Sequence, residues 1–312
     1  MPLHAPTPLI ESLSLKAGGA TRIHLKMEAL QVPGSFKIRG VGHACETYAR
    51  GGARRFISSS GGNAGLAVAY AGQRLGLPVL VVVPETTTER AKSLLALFGA
   101  DVRVHGRTWQ EANELATSLL TPDAAFVHPF DDPLLWDGHA SMIDEVVASG
   151  LRPDVVVVAV GGGGLLSGVM AGLVRNGLAD IPVLAAETTG AASLKAAMDA
   201  GEPVSLPAIT SIATSLGAKR VADHAVALTQ THDIRSALVS DAEAVRACLR
   251  FMDDHRVLVE PACGAALAVV YDQPERLAPF KNALVIVCGG ATATLSQLQQ
   301  WDRELSGGAI KG

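Results

Sequence analysis

Four short stretches hold residue types that could do chemistry together. PGSFKIRG, residues 33–40, sets Lys37 behind Gly34 and Phe36. A lysine there reads either as a surface charge in the first turn of a helix or as an amine that condenses with an aldehyde cofactor. SSSGGNAG, residues 58–65, joins a strand to a helix. Gly61 and Gly62 leave backbone N–H groups free to face a cavity, and Ser60 and Asn63 add hydrogen bonds. With the helix dipole behind it, this turn suits a carboxylate, although a plain glycine-rich turn has the same letters. VGGGGLLSG, residues 160–168, offers bare amides to a phosphate between a buried strand and a helix start. No G-K-[ST] follows, so it is not a P-loop. A dinucleotide fingerprint fits Gly161, Gly163 and Gly164 only by a shift of register, and Glu187 comes slightly late for a ribose contact. In LVIVCGG, residues 284–290, a buried strand delivers Cys288 to its own carboxyl end. Such a cysteine is structural in most proteins, but the glycines beside it leave a ligand contact open. A lysine amine, a carboxylate nest, a phosphate cradle and a strand-end thiol together describe a site for pyridoxal phosphate and an amino acid.

The elements between these stretches position them. RRFISSS, PVLVVVP, DVRVHG and AAFVHPF read as strands, and NAGLAVAYAGQRLG, TTTERAKSLLALFG and TWQEANELATSLL as the helices between them. The alternation restarts with DVVVVAV and runs through IPVLAAE to NALVIVCGG. Repeated strand–helix units predict mostly parallel sheets flanked by helices, with ligands at the carboxyl ends of the strands.

Composition narrows the functional classes. The chain has 312 residues, 48% hydrophobic and 18% charged, enough for two domains sharing a cleft. A net charge of -4 without blocks of like charge gives no support for nucleic-acid or acidic-membrane binding. Cys45, Cys248, Cys263 and Cys288 lack C-x-x-C spacing, a reduced, cytoplasmic pattern. The charge-free run 155–174 breaks at four glycines and reads as strand, loop and helix, with no membrane span expected. The start MPLHAPTPLI lacks the pattern of a signal peptide.

The four stretches occur in order with PFDDPLLWDGHAS, AAETTGAASL, ITSIATSLGAKRV and LVEPACGAAL. Together they resemble the serine/threonine dehydratase family of pyridoxal-phosphate enzymes (fold type II, tryptophan-synthase-β-like), and most of all the animal-type L-serine dehydratases. The resemblance covers nearly the whole chain. It implies an α/β protein with a large cofactor-binding domain, residues 1–40 and 131–312, and a small α/β domain, residues 41–130, that carries the substrate-carboxylate loop. Lys37 matches the Schiff-base lysine, Phe36 the residue stacked on the ring, and Asn63 the partner of the ring's 3-oxygen. Gly161, Gly162, Gly163, Gly164 and Leu165 match the phosphate loop, and Cys288 the partner of the pyridine nitrogen. Ser60, Gly61, Asn63 and Ala64 fall in the carboxylate loop. Glu187, Ala191, Leu216 and Ala218 fall where the family often holds a monovalent cation such as potassium; otherwise Glu187 reads as a helix cap. Several members carry alanine at Gly61, which leaves turnover and substrate preference open here.

The activity so implied is β-elimination of L-serine to pyruvate and ammonia, with L-threonine giving 2-oxobutanoate. Lys37 would take the Cα proton, so burial must lower its pKa from about 10.4. A neutral Cys288 would favour elimination over transamination. The alternatives are a threonine dehydratase, a serine racemase using Ser60 opposite Lys37, and a catalytically silent binder. The chain ends about two dozen residues after VCGG, which leaves no room for an allosteric module and favours a catabolic enzyme. The family implies a homodimer. His128, His139 and His255 read as core or surface residues, with His139 placed at the cleft by the resemblance. Trp136 and the helix containing Cys263 read as packing, and Asp144 and Glu145 as a solvated helix face.

Overall fold

The structure is a computed structural model that describes residues 1–17 and 21–307. Two sheets organise it. The four-stranded sheet is parallel, in the order β5 (Asp101–Val104), β4 (Val79–Val83), β3 (Arg55–Ser58), β6 (Ala124–Phe126). The six-stranded sheet runs β1 (Leu9–Ala17), β2 (Thr21–Lys26), β10 (Asn282–Ile286), β7 (Val155–Ala159), β8 (Val183–Thr188), β9 (Ile234–Val239). It is parallel except for the β1–β2 pair, an antiparallel edge that the strand–helix reading did not contain.

Local sequence accounts for these elements. VVVVA in β7 and VLVVV in β4 are buried throughout, as central parallel strands require. The helix α2 (Asn63–Leu75) stops at Gly76, whose φ of 67° suits glycine. Further on, α3 (Glu89–Leu97) is capped by Thr88, and α4 (Trp109–Ser118) opens with a Thr108–Glu111 capping box. Asp132 caps α5 (Pro133–Ala148), with proline at the first position. The helix α10 (Pro261–Asp272) is apolar on nearly every side and lies against β7 and β8 inside the large core.

One expectation is corrected. Glu145 does not lie on a solvated face. It reaches from α5 into a buried ionic network around Arg39 of α1 (Lys37–Arg50). Arg39 is fully buried and pairs two-pronged with Glu28 at 2.7 and 2.8 Å and with Glu145 at 2.8 Å on both oxygens. Buried Lys26 also pairs with Glu145. The network ties α1 to β2, to the turn after it and to α5. Asp144, by contrast, is partly exposed and pairs with Arg175.

Candidate active site

The segment before α1 is stitched to the turn after β10. Phe36 N–H donates to the Cys288 carbonyl at 3.1 Å, Gly290 N–H to the Gly34 carbonyl at 2.8 Å, and Ser35 bridges to Gly289. Gly34 has φ +82° and lies so close to Ala291 that a Cβ there would sit 2.9 Å from the alanine methyl. This seam places Lys37, the first residue of α1, beside the strand-end thiol. Lys37 is half-buried, and its Nζ donates to the Pro129 carbonyl. Desolvation lowers its pKa from 10.5 to about 8, against the opposing pull of Cys288 and Glu260. The lysine does stand in the first helical turn, but its amine is turned inward, not out into solvent.

Cys288 is buried, and a hydrogen bond with Cys263 together with burial pushes its thiol well above the ordinary range, so it is neutral. Cys263 is itself packed in the large hydrophobic core. Phe36 is buried, with its ring 4.8 Å from that of His139 and 5.2 Å from Lys37 Nζ. His139 Nδ1 accepts from Gly40 N–H at 3.1 Å, its Nε2 has no partner, and burial holds it neutral.

The polyglycine turn meets this cluster across one peptide. Pro129 takes the lysine amine, and the next residue, Phe130, walls the turn. A Cβ on Gly162 would lie 2.3 Å from the Phe130 ring, and Gly163, at φ +91°, leaves only 2.6 Å to the Ala225 methyl. Side chains are thereby excluded, and the turn runs into α6 (Gly164–Arg175), whose first amides have no intrahelical acceptor. Gly161 backs onto Leu216 of the 3-10 turn 214–216.

SSSGGNAG forms the turn between β3 and α2, so Ser60, Gly61, Asn63 and Ala64 stand together. Ser60 Oγ accepts from Gly62 N–H at 3.4 Å, and the space beside Gly61 is taken by Thr87. Asn63 is buried; its Oδ1 accepts from Ala291 N–H at 3.1 Å, and its Nδ2 donates to Glu260 Oε1 at 2.7 Å and Ser215 Oγ at 3.4 Å. Glu260 was not singled out from the sequence. Its signal was an acid just before Pro261 at the head of an otherwise apolar helix.

Glu187 lies elsewhere, at the carboxyl end of β8. Its oxygens accept from Leu194 and Lys195 N–H, capping α7 (Ser193–Ala200), and burial pushes its pKa up to about 7. Ala191 belongs to the 3-10 turn just before α7, and Ala218 N–H donates to the Leu216 carbonyl. Among the described residues no group of three or more His, Cys, Asp or Glu side chains is placed to hold a metal.

The arrangement fits pyridoxal phosphate. It presents an inward amine of lowered pKa, a turn closed to side chains that leads into a helix N-terminus with no side-chain cap, an asparagine amide and a neutral thiol. Residues 1–289 match the model of the pyridoxal-phosphate dependent enzyme family. The chain belongs to that family. It is 49% identical to a rat protein named serine dehydratase-like, over 98% of this chain and 96% of the relative. It is 46% identical to human L-serine dehydratase/L-threonine deaminase, over 97% and 96%. Among solved structures, a fungal L-serine ammonia-lyase from Rhizomucor miehei superposes with a TM-score of 0.92 at 33% identity, covering 97% of this chain and 99% of that one. The parallel sheets flanked by helices are thus those of fold type II.

Proposed function

We propose that the protein is a pyridoxal-phosphate-dependent L-serine ammonia-lyase that converts L-serine to pyruvate and ammonia and accepts L-threonine as a second substrate. The observation that carries this is the seam from residues 34–36 to residues 288–290, which sets Lys37 beside Cys288, with the amine's pKa lowered to about 8. Bound pyridoxal phosphate supplies an electron sink for the Cα carbanion. Gly161, Gly162, Gly163, Gly164 and Leu165 would hold its phosphate, Phe36 would pack on the ring, and Asn63 and Cys288 would meet its oxygen and nitrogen. Ser60, Gly61, Asn63 and Ala64 fix the substrate carboxylate and so orient the Cα–H bond. Lys37 is neutral often enough near neutral pH to take that proton. The neutral Cys288 offers no negative charge to hold a proton on the ring nitrogen, which would weaken the electron sink and favour loss of the β-hydroxyl over transamination.

The same reading assigns residues 1–40 and 131–312 to a large domain and 41–130 to a small one, supported by the two separate sheets. It assigns potassium to Glu187, Ala191, Leu216 and Ala218, supported by a buried carboxyl without a full countercharge. It takes a second copy of the chain as partner, supported by Ile10 and Leu13 exposed on the edge strand β1. No helix among the described residues is long and apolar enough to cross a membrane, and we assign the protein to the cytoplasm. The test is release of keto acid and ammonia from L-serine, L-threonine and D-serine by the cofactor-loaded protein. L-Serine and L-threonine give product; a main product of D-serine from L-serine, or no turnover at all, defeats the proposal.

A further inference from the structure

We propose that Glu260 is the positioning residue that sets which end of the Asn63 amide faces the cofactor, an inference that rests on the functional reading above.

Glu260 occupies the N-cap position of α10, where an acid ordinarily accepts from the helix's own first amides. Here its side chain makes no such bond. It turns away from the helix into the cleft, where Oε1 accepts from Asn63 Nδ2 at 2.7 Å and Oε2 from Thr292 Oγ1 at 2.8 Å. Its carboxyl fills the place a side chain on Gly290 would need, since a Cβ there would lie 2.0 Å from Glu260 Cδ. It is buried, and its hydrogen-bond partners are neutral donors; among the described residues no cation forms a salt bridge with it, and Lys37 acts on it only as a more distant charge. A buried acid held this way contributes little to fold stability through charge pairing, so its use lies in what it directs.

What it directs is an amide with two unlike ends. Asn63 Oδ1 faces the Ala291 N–H, and Nδ2 faces the Glu260 carboxyl. Turning the amide over would set a carbonyl against the carboxyl and an NH2 against the Ala291 N–H, and both contacts would be repulsive. Glu260 thus locks the amide one way, with one Nδ2 hydrogen on itself. The other hydrogen has only the 3.4 Å contact to Ser215 Oγ and is the one left to meet a ligand oxygen. Asn63 stands at the head of α2 on the four-stranded sheet's side, whereas Glu260, Ser215 and Ala291 come from the other side. The lock therefore also fixes the distance across the cleft.

The test compares cofactor-loaded Glu260→Met, Glu260→Gln, Asn63→Ala and the double variant Glu260→Met/Asn63→Ala. The readouts are the absorption spectrum of the bound cofactor, and kcat and KM for L-serine. Methionine keeps the volume and removes the acceptor. It should move the spectrum in the same direction as Asn63→Ala and lower kcat about 10-fold or more, with a smaller change in KM. In the Asn63→Ala background it should cost nothing further, because both changes remove one interaction. Glutamine keeps an acceptor for Nδ2 while Thr292 turns its hydroxyl to accept, so it should recover most of the loss. The proposal is overturned by equal fold losses in both backgrounds, by a wild-type spectrum and kcat in Glu260→Met, or by a Glu260→Gln spectrum displaced as far as that of Asn63→Ala. That last comparison decides even if the methionine variant does not fold. A wild-type protein without lyase activity would defeat the functional reading, while the cofactor spectrum would still test the lock.

Discussion

Lys37 and Arg39 stand two residues apart in the first turn of α1, yet they enter buried surroundings of opposite design. Arg39 meets two carboxylates, each in two-pronged geometry, with Lys26 adding a second cation to the same cluster. Lys37 meets a backbone carbonyl, a neutral thiol nearby and Glu260, whose own burial raises its pKa. Where buried charges are matched, the result is a rigid seat for the helix. Where the lysine lacks a close anionic partner, burial makes it surrender its proton more readily. The same desolvation acts on both residues, and the partners decide whether it yields scaffold or reactivity.

The largest effect that separates the two designs is on stability. Arg39→Met leaves Glu28 and Glu145 without their shared cation and should cost about 3–5 kcal/mol in urea unfolding of the cofactor-free protein. Lys37→Met at neutral pH removes a cation whose charged form burial disfavours, so it should leave stability unchanged or raise it. Equal losses in the two variants would erase the distinction.

The second prediction concerns pH. The lysine's folded pKa lies below its unfolded value, so the unfolded chain holds the extra proton between about 8 and 10.5. Stability of the cofactor-free protein therefore rises with pH across that window. The neutral amine is also the form that reacts with an aldehyde. The rate of cofactor uptake should climb about 10-fold per pH unit and level off near pH 8. A plateau delayed toward 10.5 would show that the surroundings do not act on the amine.

How much of this contrast was legible in the sequence follows from the range of the forces involved. β4, β7 and the capped helices α3, α4 and α5 are written in adjacent letters, through apolar runs and Thr or Asp caps. The polyglycine turn was legible for the same reason, since its chemistry belongs to backbone amides that need only the absence of side chains. The Arg39 network draws on residues 26, 28, 39 and 145, and nothing local marks Glu145 as inward, because the helix carrying it reads as polar at that point. Glu260 was hidden similarly: its partners Asn63 and Thr292 come from distant parts of the chain. The antiparallel β1 was missed because it is a largely exposed edge strand whose apolar and polar residues do not alternate regularly, and its pairing with β2 is broken by a register shift between Ser12 and Ala17.

Smaller effects sharpen the contrast on the far side of the cleft. A Cβ on Gly61 would lie 2.8 Å from Thr87 Cγ2 and 3.1 Å from its Oγ1. Gly61→Ala should therefore displace the loop at residues 60–64 at an overpacking cost of about 1–3 kcal/mol and, if that loop holds the substrate carboxylate as proposed, raise KM for L-serine several-fold. Adding Thr87→Ser, which deletes the crowding methyl, should reverse most of that rise; no reversal would mean the loop is not set by this contact. The smallest effect is on product partition. Cys288→Asp replaces a neutral thiol with a charged partner and should increase transamination relative to elimination, measured as amino-form cofactor accumulating during turnover. An unchanged product profile would remove Cys288 from the account of reaction choice.

The most direct test of the central claim is where the cofactor attaches. Treating the loaded protein with borohydride and mapping the peptides by mass spectrometry should locate the pyridoxyl group on the Lys37 nitrogen, and Lys37→Ala should carry none and release no pyruvate from L-serine. A label on another lysine, or turnover surviving the substitution, would contradict the account.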